Sequence, residues 1–266
     1  MHTLSRQIRF SIDPFSADQS WGYNSYASKP GVEGLGFYFA LWVDLESRLN
    51  PDTGFVVNVS EIDKVVRQKA FPVFKRAISI AMDNKHSLQL IELVEILKLC
   101  FKEIDESFDR QRLVQLQLEL NPYRTISIQA EDAEMFTFSE KFEFSAMHQL
   151  WNERFDEEKN FELFGKCANV AGHGHNYVLE VSISLSTASA RSGGIYEFEK
   201  VVEKEFLGLV DHKNLNLDVP GFENLNPTVE NLAYYAWEKL EGKFENGQLA
   251  KITIWENDRT FCSYTR

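Results

Sequence analysis

The chain carries the same ordered set of landmarks twice. Residues 34–43, GLGFYFALWV, align position for position with residues 172–181, GHGHNYVLEV. Upstream, Phe15-Ser16-Ala17 mirrors Phe144-Ser145-Ala146; downstream, Gly54-Phe55-Val56-Val57 falls near Gly194-Ile195-Tyr196-Glu197. Toward the end of each half, LQLELNPYRT matches ITIWENDRT, which pairs Glu119 with Glu256. Four landmarks in one order imply two copies of a unit of about 130 residues, an ordinary domain size. The segment QAEDAEM, residues 129–135, breaks the apolar pattern and marks the junction. The expected units are therefore residues 1–130 and 131–266.

Periodicity gives each unit its elements. In KFEFSAMHQL, Phe142, Phe144, Ala146, His148 and Leu150 alternate onto one face of a strand. In NYVLEVSISL, Tyr177, Leu179, Val181, Ile183 and Leu185 share a face opposite Glu180, Ser182 and Ser184. Two helical patterns follow, EFEKVVEKEFLGLV and NPTVENLAYYAWEKLEG, the second with Pro and Thr at its start and Gly at its end. The strands KITIWEN and TFCSYT close the unit. The order strand, strand, helix, helix, strand, strand predicts an α+β layer: an antiparallel four-stranded sheet with two helices on one face. The first half fits the same order, with its helices between Ser60 and Phe108.

Composition narrows the function. The 266 residues are 44% hydrophobic and 26% charged, with a formal net charge of -12. An acidic chain of this kind is a poor binder of nucleic acid or anionic membrane through bulk charge. Three cysteines, Cys100, Cys167 and Cys262, lie far apart and do not form a disulfide framework. No stretch reaches the length of a membrane span, and MHTLSRQIRF lacks the apolar core of a signal peptide. A cytoplasmic protein is expected.

His173 and His175 are two apart, so on a strand they point the same way and continue the face of Tyr177 and Leu179. His148 ends the apolar face of another strand. Hairpin pairing of the two strands would gather three imidazoles, the ligand set of a catalytic zinc site. The first half carries Leu35 and Phe37 at the matching positions and Gln19 near the His148 position. The strand pattern survives there without the imidazoles, so the fold does not need them, and a metal site is the favoured reading.

FSAMHQL, FGKCANVAGHGHNY, VDHKNLN, NPTVENLA and ITIWEN, in this order, resemble the 6-pyruvoyl-tetrahydropterin synthase family, which includes the 6-carboxytetrahydropterin synthases of queuosine biosynthesis. The resemblance covers residues 136 to 266. It implies a tunnelling-fold-like unit and a zinc-dependent lyase acting on 7,8-dihydroneopterin triphosphate in tetrahydrobiopterin biosynthesis. It further implies Zn2+ on His148, His173 and His175, Cys167 as catalytic base, and Asp211 and His212 as its proton-relay partners. Glu256 would anchor the pterin, whose edge presents N–H donors that a carboxylate accepts in pairs; Thr228 and Glu230 would lie near that pocket. Thr228 also reads as a helix N-cap and Glu230 as a first-turn acid. Family sites form at subunit interfaces, so a homo-oligomer is expected, with the first unit a degenerate copy without metal ligands. Five residues separate Cys167 from His173, a spacing like that of the pyruvoyl-forming enzymes. The alternatives are the carboxy-forming lyase, which also releases acetaldehyde, and a pterin-binding or scaffold protein without turnover.

Overall fold

The structure, a computed structural model, describes residues 1–15, 36–132, 134–188 and 195–266, with the side chains of Ile195 and Tyr196 excepted. The sequence landmarks Ser16, Ala17, Gln19, Gly34, Leu35 and Gly194 lie outside these. The chain divides into two compact units: residues 1–138 with 186–190, and residues 139–185 with 191–266.

The first unit runs β1 (His2–Ile12), β2 (Phe37–Ser47), α1 (Val59–Asp83), α2 (Leu90–Asp105), β3 (Arg112–Glu119) and β4 (Arg124–Gln129). The strands pair in the antiparallel order β1-β2-β3-β4. Alternation puts Ile8, Phe10, Leu41, Val43, Leu45, Leu116 and Leu118 on the helix-covered face, all buried. They meet Ile62, Val66, Ala70, Phe74 and Ile78 of α1 and Val94, Leu97, Cys100 and Ile104 of α2, two stripes at helical spacing. Asn58 caps α1 by accepting from Ser60 N, and Gln89 with Glu92 forms a capping box on α2. Arg6 fastens β1 to α1 through two bonds to the buried Asp63 carboxylate, 3.0 and 2.9 Å.

The second unit is built on β5 (Met135–His148, belonging here from Ser139), α3 (Glu157–Phe164) and β6 (His173–Ser186). It continues with α4 (Ile195–Val202), α5 (Gly208–Val210), β7 (Lys213–Asn214), α6 (Leu215–Asp218), α7 (Val229–Leu240), β8 (Gly247–Asn257) and β9 (Thr260–Tyr264). A π-turn, Glu203–Leu207, joins α4 to α5, so one helical run covers the sheet where EFEKVVEKEFLGLV was expected. The strands order β5-β6-β8-β9, with β7 added parallel to β5 through Ala146↔Lys213 and Met147↔Asn214. Phe144, Tyr177, Leu179, Val181, Ile252 and Ile254 line the covered face against Phe206, Leu232, Ala236 and Leu240. The α+β layer of the sequence reading is thus the architecture of both units. The insertions α3, β7 and α6 were not expected; they are short, and the segments that form them lack a clear apolar period.

One sequence pairing is corrected. In the first unit Ala40 stands opposite Glu119, and in the second Val178 stands opposite Trp255. The aligned segments match residue 40 to residue 178, so the sheet position of Glu119 is that of Trp255, not of Glu256. A slip of one residue changes face. Glu119 lies on the face away from the helices, where its Oε1 accepts from Gln7 Nε2 (2.9 Å) and Trp42 Nε1 (2.6 Å). It is a satisfied carboxylate within the first sheet.

Candidate metal centre

The site grows from the ends of three strands. β5 ends on His148, which is only 1% exposed. Its Nδ1 donates to the carbonyl oxygen of Pro227, 2.8 Å away, just before α7. That bond fixes the tautomer and leaves Nε2 bare and aimed at His173 Nε2, 3.2 Å away. β6 starts at His173, and the pleat sets His175 on the same face. Gly172 permits this entry: its φ is 67°, and a Cβ there would stand 2.9 Å from the His148 carbonyl oxygen. The three rings lie with centroids 4.6, 4.7 and 5.1 Å apart, each pair steeply inclined.

Cys167 sits in a 3₁₀ turn, Gly165–Ala168, half-buried, with Sγ 3.7 Å from His173 Nε2. The turn is tied to the end of β5 by Leu150 N donating to Cys167 O (2.8 Å) and Gln149 Nε2 donating to Ala168 O (3.0 Å). From β8, Glu256 brings Oε1 to 3.5 Å from His175 Nε2 and 3.9 Å from His148 Nε2. Five of the sequence-predicted residues therefore converge: His148, His173, His175, Cys167 and Glu256.

The other four are placed differently. Asp211 Oδ1 accepts from Ser145 N (2.9 Å), and His212 N donates back to Ser145 O (2.6 Å). His212, at φ 56°, holds its ring against Asp211 Oδ2 at 2.9 Å with 81% of the side chain exposed. His212 borders a cleft of about 500 Å³ lined also by Ser145, His175, Asn176 and Asp218. Among the described residues no hydrogen bond or ion pair joins Asp211 or His212 to Cys167. Thr228 is the N-cap of α7, accepting from Asn231 N at 3.3 Å. Glu230 is exposed in the first turn, where its charge reaches Cys262. Neither forms a hydrogen bond or ion pair with the imidazoles among the described residues.

Sequence reading missed the support of the site. Asn226 accepts from Trp151 N (2.9 Å) and, through its carbonyl, from Asn231 Nδ2 (2.9 Å), which holds the Pro227 carbonyl in place. Asn216 brackets Gln149, accepting from its N (2.7 Å) and donating to its O (3.0 Å). Such bonds to backbone leave no mark in a sequence. Tyr177 did leave one, as the next residue on the histidine face.

Burial lowers the pKa of His148, outweighing the Pro227 bond, and burial likewise lowers that of His175 against the pull of Glu256. Both rings are thereby held neutral, the form that binds metal. Burial, then the Glu256 charge, pushes the Cys167 thiol up.

These residues fit a metal ion. Their ligand atoms all lie within 4.8 Å of one another, and His175 Nε2 is buried without a hydrogen-bond partner. The Nε2 atoms of His148 and His173, 3.2 Å apart, match the ~3.3 Å separation of tetrahedral ligands about 2.0 Å from zinc. The set of three imidazoles leaves a fourth position open, the arrangement of catalytic rather than structural sites.

A family-wide sequence profile, 6-pyruvoyl tetrahydropterin synthase, matches residues 137–266. The human 6-pyruvoyl tetrahydrobiopterin synthase is 36% identical over 128 residues, which span 47% of this chain and 88% of that protein. The solved 6-pyruvoyl tetrahydropterin synthase of Caenorhabditis elegans is 36% identical, covers 50% of this chain and 96% of its own, and superimposes with a TM-score of 0.46. The 6-carboxy-5,6,7,8-tetrahydropterin synthase of Aquifex aeolicus is 26% identical over 160 residues, 47% of this chain and 95% of that protein. With most of the human enzyme matched by the half that holds the imidazoles, the chain belongs to the 6-pyruvoyl tetrahydropterin synthase family.

Proposed function

We propose that the chain is a lyase that eliminates triphosphate from 7,8-dihydroneopterin triphosphate to give 6-pyruvoyl-tetrahydropterin, with residues 131–266 as the catalytic unit. The observation that carries this is the convergence of three imidazoles, a thiol and a carboxylate at one spot. His148, His173 and His175 would hold a zinc ion, which supplies Lewis acidity to the side-chain oxygens of the substrate. Glu256 accepts hydrogen bonds from the donor edge of the pterin and so orients its C6 side chain. Cys167 removes a proton from that side chain; a cation at the imidazole beside its sulfur favours the thiolate that burial disfavours. Thr228 and Glu230 are assigned to the rim of the pterin pocket.

The exposed Asp211–His212 pair makes no bond to Cys167 of its own chain. Its ring is oriented by Asp211 and open to solvent. We assign it to proton relay in a site completed by another copy, which makes the active form a homo-oligomer. Residues 1–130 are read as a degenerate copy of the same unit: it repeats the element order, and among the described residues the one group able to hold a metal is the three-histidine cluster of the second unit. Among the described residues no helix is long and apolar enough to cross a membrane, which accords with a cytoplasmic enzyme.

Product analysis by mass spectrometry tests the reading. Zinc-loaded protein given 7,8-dihydroneopterin triphosphate should yield the 6-pyruvoyl product, and Cys167→Ala should not. A 6-carboxy product with acetaldehyde would instead place the chain with the Aquifex relative. Bound pterin without turnover would make it a binding protein.

A further inference from the structure

Tyr177 is 1% exposed, and its hydroxyl is buried without a hydrogen-bond partner. Burying an unpaired hydroxyl costs free energy, so a partner is called for. The ring itself needs no hydroxyl for packing. It stacks on Phe144 at 5.0 Å and 12°, and meets the His175 ring at 5.5 Å. The aligned residue of the first unit, Phe39, stacks on Phe10 at 5.3 Å and 27° without one. The same packing position thus carries an oxygen only in the unit that has the imidazoles.

The ring sits beside the imidazoles. Tyr177 follows His173 and His175 on one strand face. A phenol is a hydrogen-bond donor at neutral pH. A buried donor on a ring that borders the His175 imidazole, with no partner in the fold, is left for a molecule bound at the cluster.

We propose that the Tyr177 hydroxyl is a substrate-contacting group, donating a hydrogen bond to an oxygen on the C6 side chain of the bound pterin. When the proton on the side-chain carbon next to C6 leaves for Cys167, its electron pair passes into the ring C=N bond, and a fixed buried donor on the side-chain oxygen holds that carbon in line with the sulfur. The inference rests on the lyase reading above and adds a specificity: oxygen-bearing C6 substituents are recognised, alkyl ones are not.

The test uses the full chain and Tyr177→Phe, which keeps the ring. Two probes are titrated, 7,8-dihydroneopterin and 6-methyl-7,8-dihydropterin, the second without side-chain oxygen. The substitution should weaken the first about tenfold, the worth of one net hydrogen bond. It should leave the second unchanged, and it should lower kcat on the triphosphate by about 10²-fold. Zinc content should stay at the wild-type level, and the melting temperature of the metal-free protein should not fall. Equal affinity for both probes in wild type and variant would overturn the proposal. So would a lower melting temperature of the metal-free variant, which would show the hydroxyl bonded within the fold. A wild-type protein that binds neither pterin would instead sink the lyase reading, and this proposal with it.

Discussion

The two units share an order of elements and differ at the strand ends. In both, alternating strands cover a sheet face with Leu, Val, Ile and Phe, and two helical stretches close over it. In the first, the aligned face ends in aromatic packing: Phe39 meets Phe10 at 5.3 Å and Phe74 at 4.8 Å. In the second, the same face ends in His173, His175 and Tyr177, with His148 beside them, and carries three buried side-chain atoms without partners and two ring nitrogens turned on one another. The difference teaches where function lives. The core specifies the layer, and a few residues past the core decide whether the layer ends in packing or in chemistry.

Pairs of matched substitutions sharpen this comparison. The largest contrast is between cysteines. Cys167→Ala should lower kcat by about 10²–10⁴-fold with zinc retained, the usual contribution of a positioned base. Cys100, fully buried in α2, should respond to Ala only in stability, by about 1 kcal/mol, measured by denaturant unfolding. Activity that survives Cys167→Ala would break the comparison.

Glutamates give the next contrast. Glu256→Gln should weaken pterin binding by about 10–10²-fold, the worth of bonds to a charged acceptor, read by calorimetric titration. Glu119→Gln should leave pterin binding alone. It should cost about 1–2 kcal/mol of stability, because Gln7 and Trp42 lose a charged acceptor. Loss of pterin binding in Glu119→Gln would mean that the first unit holds a ligand after all.

The smallest effect is on the acid limb. Desolvation pushes the Asp211 carboxyl up, but Ser145 N and His212 outweigh it, and its pKa sits below the ordinary value. A depressed folded pKa stabilises above the unfolded value of about 3.9 and ceases to do so as pH falls through the folded one. The stability gap between wild type and Asp211→Asn should therefore be full at neutral pH and close below about pH 4. Glu92, lowered by Gln89 N and then His86, should give the same sign in the first unit.

How much of this was legible follows from what alternation records. It fixes faces, so the shared side of His173, His175 and Tyr177 could be read directly, and the hairpin partner followed for His148. It does not fix register. The identity of Glu119 suggested the wrong face, because a carboxylate match in sequence ignores which neighbour stands opposite. Nor does it show backbone acceptors such as Pro227 O, or the 3₁₀ turn that brings Cys167 to His173. The Asp211–His212 string matched the family motif in sequence, yet the chain folds it against Ser145, where parallel pairing of β7 with β5 holds it. Tyr177 was legible as core and not as a donor, since periodicity places a side chain without saying where its far atom ends.

The central claim is that one unit of the two carries the metal chemistry. Zinc content by elemental analysis of the purified full chain, wild type beside His175→Ala, tests it most directly. The account predicts one zinc per chain in the wild type and almost none in the variant, with the fold intact by circular dichroism. Two zinc ions per chain, or one that survives His175→Ala, would contradict it.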